Sequence, residues 1–234
     1  YYWTMGKCRE IEDVIRKHCA IMDEYDKDKN VALMLDEWGT WWDEEPGTVR
    51  GHLYQQNTMR DAFVASLSLD IFHKYTDRLK MANIAQVVNV LQSMILTKDK
   101  DMVLTPTYYV FKMYKVHQDA TLLPMEVNTG EYGFGRRKLP NITSTASVDK
   151  NGAVHISLVN IDPKNDIEVT CDVRGAKVSK MTDGQIITGK VVDSHNTFDN
   201  PYEVQLENFK NAKFKNGTLT VKLPAKSLVT VELK

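Results

Sequence analysis

The run Val31-Ala32-Leu33-Met34-Leu35-Asp36-Glu37-Trp38-Gly39-Thr40-Trp41-Trp42 decides how this chain is read. Its first five residues are apolar without alternation, as in a strand buried on both faces of a parallel sheet. A five-residue helix is the weaker alternative. Upstream, Ile11, Val14, Ile15, His18, Ile21, Met22 and Tyr25 recur at spacings of three and four, which predicts a helix with one buried stripe over residues 6–25. The polar residues 26–30 end it. Downstream come a loop over 39–53, holding Trp41, Trp42, three acids and Pro46-Gly47, and a second helix over 54–75. Helix, buried strand, long loop and helix form a piece of a β/α repeat.

The β/α pattern continues with a short strand over 78–85, a helical turn region over 87–96, a polar break at 97–101 and a helix over 107–117. Past residue 123 the period changes to two. Val154, Ile156 and Leu158, then Ile167, Val169, Cys171 and Val173, then Leu219, Val221 and Leu223, and finally Val229, Val231 and Leu233 alternate with mostly polar neighbours. Asn151-Gly152, Asp183-Gly184 and Asn216-Gly217 punctuate these runs as tight-turn signals. Several antiparallel strands in a β-sandwich are expected over 124–234. The joint falls at Asn128-Thr129-Gly130 and the stretch holding Gly133 and Gly135.

Composition excludes several functions. The 234 residues are 42% hydrophobic and 26% charged, which is ordinary for a globular chain. Thirty Lys and Arg against 31 Asp and Glu leave a net charge of −1, so no basic field gathers nucleic acid or anionic lipid. No window approaches the roughly 18 to 20 consecutive apolar residues of a membrane span. The opening Tyr1-Tyr2-Trp3-Thr4 has no initiator Met and runs straight into a helical pattern, and it reads as the interior of a longer protein. Cys8 and Cys19, on one expected helix, would lie roughly 16 Å apart, beyond disulfide reach. No His or Cys cluster has metal-ligand spacing, and no metal or other cofactor is implied.

A carboxylate placed where a buried parallel strand ends sits at the C-terminal rim of a β/α barrel, where that architecture builds its active sites. Glu37 is the candidate, with a structural ion pair as its plain alternative. Strict strand alternation would turn Asp36 and Glu37 to opposite faces, so the two could not work as an acid and base pair. The indoles of Trp38, Trp41 and Trp42 fit either packing under a loop or the C–H faces of a sugar.

Three stretches carry a resemblance: Leu35-Asp36-Glu37-Trp38-Gly39-Thr40-Trp41, Leu53-Tyr54-Gln55-Gln56-Asn57-Thr58-Met59-Arg60-Asp61-Ala62, and Lys80-Met81-Ala82-Asn83-Ile84-Ala85-Gln86-Val87-Val88-Asn89-Val90-Leu91-Gln92-Ser93. Together, and in this order, they resemble the C-terminal half of a glycoside hydrolase family 51 α-L-arabinofuranosidase. The resemblance implies the C-terminal part of a (β/α)8 TIM barrel over 1–123, followed by a jelly-roll β-sandwich domain over 124–234. It implies a retaining mechanism with Glu37 as nucleophile, Trp41 in the substrate pocket, and Gln86 bonding the nucleophile or the sugar; a structural amide is the plain account of Gln86. The partners implied are arabinose-containing glycans, with a homo-oligomer when full length. The family's acid/base lies in an Asn-Glu motif, and no Asn-Glu dipeptide occurs here. Arg50 and His52 stand where relatives carry Pro and Phe, which bears on linkage preference.

The leading expectation is therefore a portion of an arabinofuranosidase that carries the nucleophile without the acid/base and is nearly inactive alone. A non-catalytic carbohydrate-binding sandwich is the alternative, although all four tryptophans lie before residue 43. A complete enzyme using Glu44 or Glu45 as acid is a third reading, against which stands the plain account of a solvated acidic loop.

Overall fold

The structure, a computed structural model, describes residues 1–234 apart from the side chain of Arg137. Two helices, α1 (Tyr2–Arg9) and α2 (Ile11–Tyr25), replace the one expected over 6–25. They part at Glu10, whose N–H bonds Lys7 O at 3.1 Å, a three-residue turn in place of the helical four. Cys8 and Cys19 thus lie on different helices, and all three cysteines are unpaired.

Strand β1 (Leu33–Trp38) is followed by helix α3 (Met59–His73) and strand β2 (Leu79–Ile84), which pairs with β1 in parallel. Buried Arg78 anchors the entry to both strands. It donates to Val31 O at 2.9 Å, to Asp26 O at 2.8 Å and to the Asp26 carboxylate at 2.7 Å, and it also pairs with Asp23. Leu33, Leu35, Ala82 and Ile84 pack on the core under the helices. Burial on both faces is met on one face only: the register partners Met34 and Met81 are 52% and 41% exposed on the other.

The helical turn region expected over 87–96 is a loop instead, with the non-glycine residues Asn89 and Leu91 at positive φ. Strands β3 (Ile95–Lys98) and β4 (Asp101–Leu104) then form a hairpin whose turn is the polar break, and α4 (Pro106–Tyr114) ends in a 3-10 turn at Lys115–His117.

The remaining strands are β5 (Thr121–Leu122), β6 (Glu131–Phe134), β7 (Arg137–Pro140), β8 (Ile142–Val148), β9 (Val154–Asn160), β10 (Ile167–Asp172), β11 (Met181–Thr188), β12 (Glu207–Asn208), β13 (Ala212–Lys215), β14 (Thr218–Leu223) and β15 (Ser227–Leu233). Six make one sheet in the order β12-β11-β15-β9-β8-β5, three make another in the order β10-β14-β13, and β6 pairs with β7 across the expected joint. The alternation is real: Ile156, Leu158, Val229, Val231, Leu219 and Val221 share one core between the two sheets. Asn216-Gly217 turns β13 into β14 as expected, with both residues at positive φ. Asp183-Gly184 is not a turn but lies inside β11. The glycine there answers a close approach, because a Cβ on Gly184 would stand 2.6 Å from Phe209 O beside β12.

The other face of the six-stranded sheet packs on the helices. Val159, Ile161, Ile187 and Leu228 join Phe63, Leu67, Val110 and Met113 in one cluster.

Candidate active site

The site is built at the C-terminal end of β1. Pairing with β2 matches Leu35 to Ala82 and Trp38 to Ile84, so three steps on β1 oppose two on β2. This β-bulge inserts one extra residue into β1. Leu35 and Trp38 consequently both face the helix-side core, Trp38 edge-on to Phe72 with ring centroids 5.2 Å apart and stacked on Phe111 at 6.1 Å. Asp36 and Glu37, between them, are both exposed. The bulge interrupts strict alternation at this point, and of the two carboxylates Glu37 lines the cleft described next.

Glu37 and Trp41 come together on a cleft of about 340 Å3, lined also by Trp3, Cys8, Trp38 and Trp42. That volume stands at the lower end of ligand pockets. Trp41 is 69% exposed, whereas Trp38 is buried. The three indoles that the sequence left between packing and recognition therefore divide: Trp38 is core, Trp41 is free, and Trp42 is held from behind.

Gln86 lies two residues past the end of β2, and its N–H donates to Val90 O at 3.2 Å. It is exposed and does not line the cleft. Ala85 N donates to Trp38 O at 2.9 Å, which brings the start of this segment level with the end of β1. Gly39, at φ +133°, completes the turn away from the strand, and a Cβ there would meet Gln92 Oε1 at 3.3 Å. Glu44 and Glu45 are tied into the loop itself: Glu44 Oε1 accepts from Gly51 N and Leu53 N, both at 2.7 Å, and Glu45 Oε1 accepts from Gln56 N at 3.1 Å. Arg50 and His52 are exposed on the same loop.

Sequence reasoning missed the buried polar group beneath these residues. Asp61, fully buried in the first turn of α3, accepts from Thr40 Oγ1 and Trp42 Nε1, both at 2.8 Å, on one oxygen. On the other it accepts from Thr58 N at 2.8 Å, closing a capping box with Thr58. Arg60 donates to that second oxygen at 3.0 Å and lays its guanidinium 3.9 Å from the centre of the Trp42 ring. The only available signal was Thr58-x-x-Asp61 ahead of an apolar run, which reports a helix start and nothing about the loop.

Among the described residues, no group of three or more His, Cys, Asp or Glu could hold a metal ion, and no helix is long and apolar enough to cross a membrane.

The family profile described as the α-L-arabinofuranosidase C-terminal domain matches residues 36–227, which begin in the β1 bulge and run to the start of the last strand. The chain belongs to this family. Among its arabinofuranosidase relatives, an intracellular exo-α-L-arabinofuranosidase of Bacteroides ovatus is 63% identical, over 100% of this chain and 46% of its own length. An intracellular exo-α-(1→5)-L-arabinofuranosidase of Acetivibrio thermocellus is 24% identical over 92% of this chain and 46% of its own. The crystal structure of the GH51 arabinofuranosidase from Xanthomonas axonopodis pv. citri superimposes with a TM-score of 0.95 at 45% identity, covering 98% of this chain and 46% of that one. The chain thus spans about half the length of the arabinofuranosidases it matches.

Proposed function

We propose that the protein containing this chain is a retaining α-L-arabinofuranosidase that removes terminal arabinofuranosyl groups from arabinose-containing glycans, and that it works as a homo-oligomer when full length. In this reading residues 1–123 are the last part of a (β/α)8 TIM barrel, with β1 and β2 as neighbouring barrel strands, and residues 124–234 are a jelly-roll β-sandwich. The carrying observation is that Glu37 is exposed in the bulge at the C-terminal end of a parallel strand, on the same cleft as the free indole of Trp41. Gln86, just past the equivalent end of the adjacent strand and outside that cleft, joins the site through the family resemblance.

Glu37 attacks the anomeric carbon and forms a covalent arabinosyl ester, while a second carboxylic acid protonates the departing oxygen and then activates water. A retaining pair needs its two carboxyls about 5 to 5.5 Å apart. In this reading that acid lies outside the chain, since the hydrogen bonds of Glu44 and Glu45 support a loop-fastening role for both. Trp41 packs against a sugar face, and Gln86 bonds the sugar or Glu37.

The test uses both lengths of protein. The full-length enzyme hydrolyses an aryl α-L-arabinofuranoside, loses turnover in Glu37→Gln, and takes up a mechanism-based ester-trapping label at Glu37. The 234-residue chain alone shows no Glu37-dependent turnover. Labelling at another carboxylate defeats the nucleophile assignment, and robust turnover by the chain alone defeats the assignment of the acid to a part outside it.

A further inference from the structure

Trp41 is exposed, yet the backbone on either side of it is bound into the interior. Thr40 N donates to Gln92 Oε1 at 2.9 Å, Thr40 O accepts from Gln55 Nε2 at 3.3 Å, and Thr40 Oγ1 donates to Asp61 Oδ1 at 2.8 Å. One residue beyond, Trp42 N donates to Gln55 Oε1 and Trp42 Nε1 donates to Asp61 Oδ1, both at 2.8 Å. Gln92 Nε2 ties the set to α3 by donating to Asp61 O at 2.7 Å. Gln55, Asp61 and Gln92 are all buried. Gln55 and Asp61 each grip both flanking residues, Gln55 through their backbone and Asp61 through their side chains.

We propose that Asp61 is a positioning residue for sugar binding, which sets the Trp41 indole in place by clamping Thr40 and Trp42. The proposal rests on the reading of Trp41 as a sugar-contacting residue. Its physical basis is preorganisation. A loop that had to be ordered on binding would lose backbone entropy for every residue fixed, whereas a loop fastened during folding loses nothing further when ligand arrives. The two oxygens of Asp61 divide the work: one holds the loop, the other caps α3. An amide has only one acceptor oxygen, so Asp61→Asn must release one of these sets of donors. A residue that served the helix alone would change stability and leave the sugar site alone.

Two measurements separate these roles. In the full-length enzyme, Asp61→Asn is expected to raise KM for an aryl arabinofuranoside about tenfold with little change in kcat, the pattern of lost uniform binding. Trp42→Phe, which deletes the indole N–H and keeps Asp61, moves KM the same way and serves if Asp61→Asn does not fold. Ile187→Ala, a buried core change outside the set of residues that bond the loop, lowers stability and leaves KM unchanged. An unchanged KM in both the folded Asp61→Asn enzyme and Trp42→Phe overturns the proposal, as does an equal rise in Ile187→Ala. In the 234-residue chain, with 15N-labelled tryptophan, the Trp42 indole N–H exchanges more slowly with solvent than that of Trp41, and Asp61→Asn removes the difference. Equal exchange in wild type shows that no clamp exists, whether or not the enzyme cleaves arabinofuranosides. Conversely, a protected Trp42 in an enzyme without arabinofuranosidase activity sinks the functional reading and leaves the clamp standing.

Discussion

Two imidazoles, His73 and His117, meet with ring centroids 5.4 Å apart where α3 and the 3-10 turn press on the six-stranded sheet. His73 Nδ1 lies 3.0 Å from Thr145 Oγ1, and His117 spans Ser147 Oγ at 2.7 Å and Ser157 Oγ at 2.8 Å. Burial pushes the His73 pKa down to about 4, and burial with His73 and His155 nearby pushes His117 down to about 3. The unfolded chain, with histidines near 6.5, binds more protons between those limits, so this part of the stability is present above about pH 6.5 and is lost toward pH 4. Asp70 acts in the opposite sense. Burial raises it to about 7 against the hydrogen bonds from Tyr114 and Thr143. Because its proton is held more tightly in the folded state, its contribution is complete below about pH 4 and declines as pH rises toward 7. Two histidines against one aspartate predict a net loss on acidification, measurable as a falling urea midpoint from pH 6.5 to 4.5. His117→Gln should shrink that slope and lower stability at pH 7 by about 1 to 3 kcal/mol, because two buried hydroxyls lose a well-placed partner. That Glu37 and Trp41 lie near one another past a strand end was legible in the sequence, because both follow an apolar run within six residues. The partners of Asp61 come from positions 40, 42, 58, 60 and 92, and no local period reports a meeting of that kind.

Among the elements, those with a strong period were legible and those set by close contact were not. The alternating strands and helices α3 and α4 follow from pattern, but the loop after β2 carries apolar residues at helical spacing and still does not coil. Asn89 and Leu91 sit at positive φ there, and Leu91 O accepts from Asn57 Nδ2 at 3.1 Å, a tertiary bond that outweighs local preference. Gly184 misled for the same reason: its small size serves the passing backbone, not a turn. Gly184→Ala is expected to displace β12 and lower thermal stability by about 1 to 3 kcal/mol, the usual range for overpacking, whereas Gly152→Ala meets no neighbour and is strained only by its positive φ. Comparing the two by calorimetry separates crowding from backbone strain. At the start of α3, Thr58→Ala should cost about 1 kcal/mol by removing the cap. Arg78→Met should cost about 3 kcal/mol, at the low end for a broken buried ion pair because Asp23 and Asp26 retain some solvent.

For the molecule as a whole, the helix-side core is the deciding feature, since it draws on both the β/α part and the six-stranded sheet. Unfolding is therefore expected to be a single event. Tryptophan fluorescence reports only on the first 42 residues, where every tryptophan lies, while the β signal in far-ultraviolet dichroism reports mainly on the sheets. Their melting curves should coincide, and Ile187→Ala should shift both together by about 2 to 5 kcal/mol. Separate midpoints would show two independent folding units. The period change near residue 123 marks a boundary in secondary structure, and sequence offers no sign that side chains knit across it: Val159 and Ile161 read as ordinary strand residues until α3 is seen lying on them. This has a practical side for protein engineers. Anyone excising the strands as a portable module at that boundary would strip Ile161, Ile187 and Leu228 of their cover and create a sticky flank, so such a truncation should aggregate unless those positions are first recoded with hydrophilic side chains.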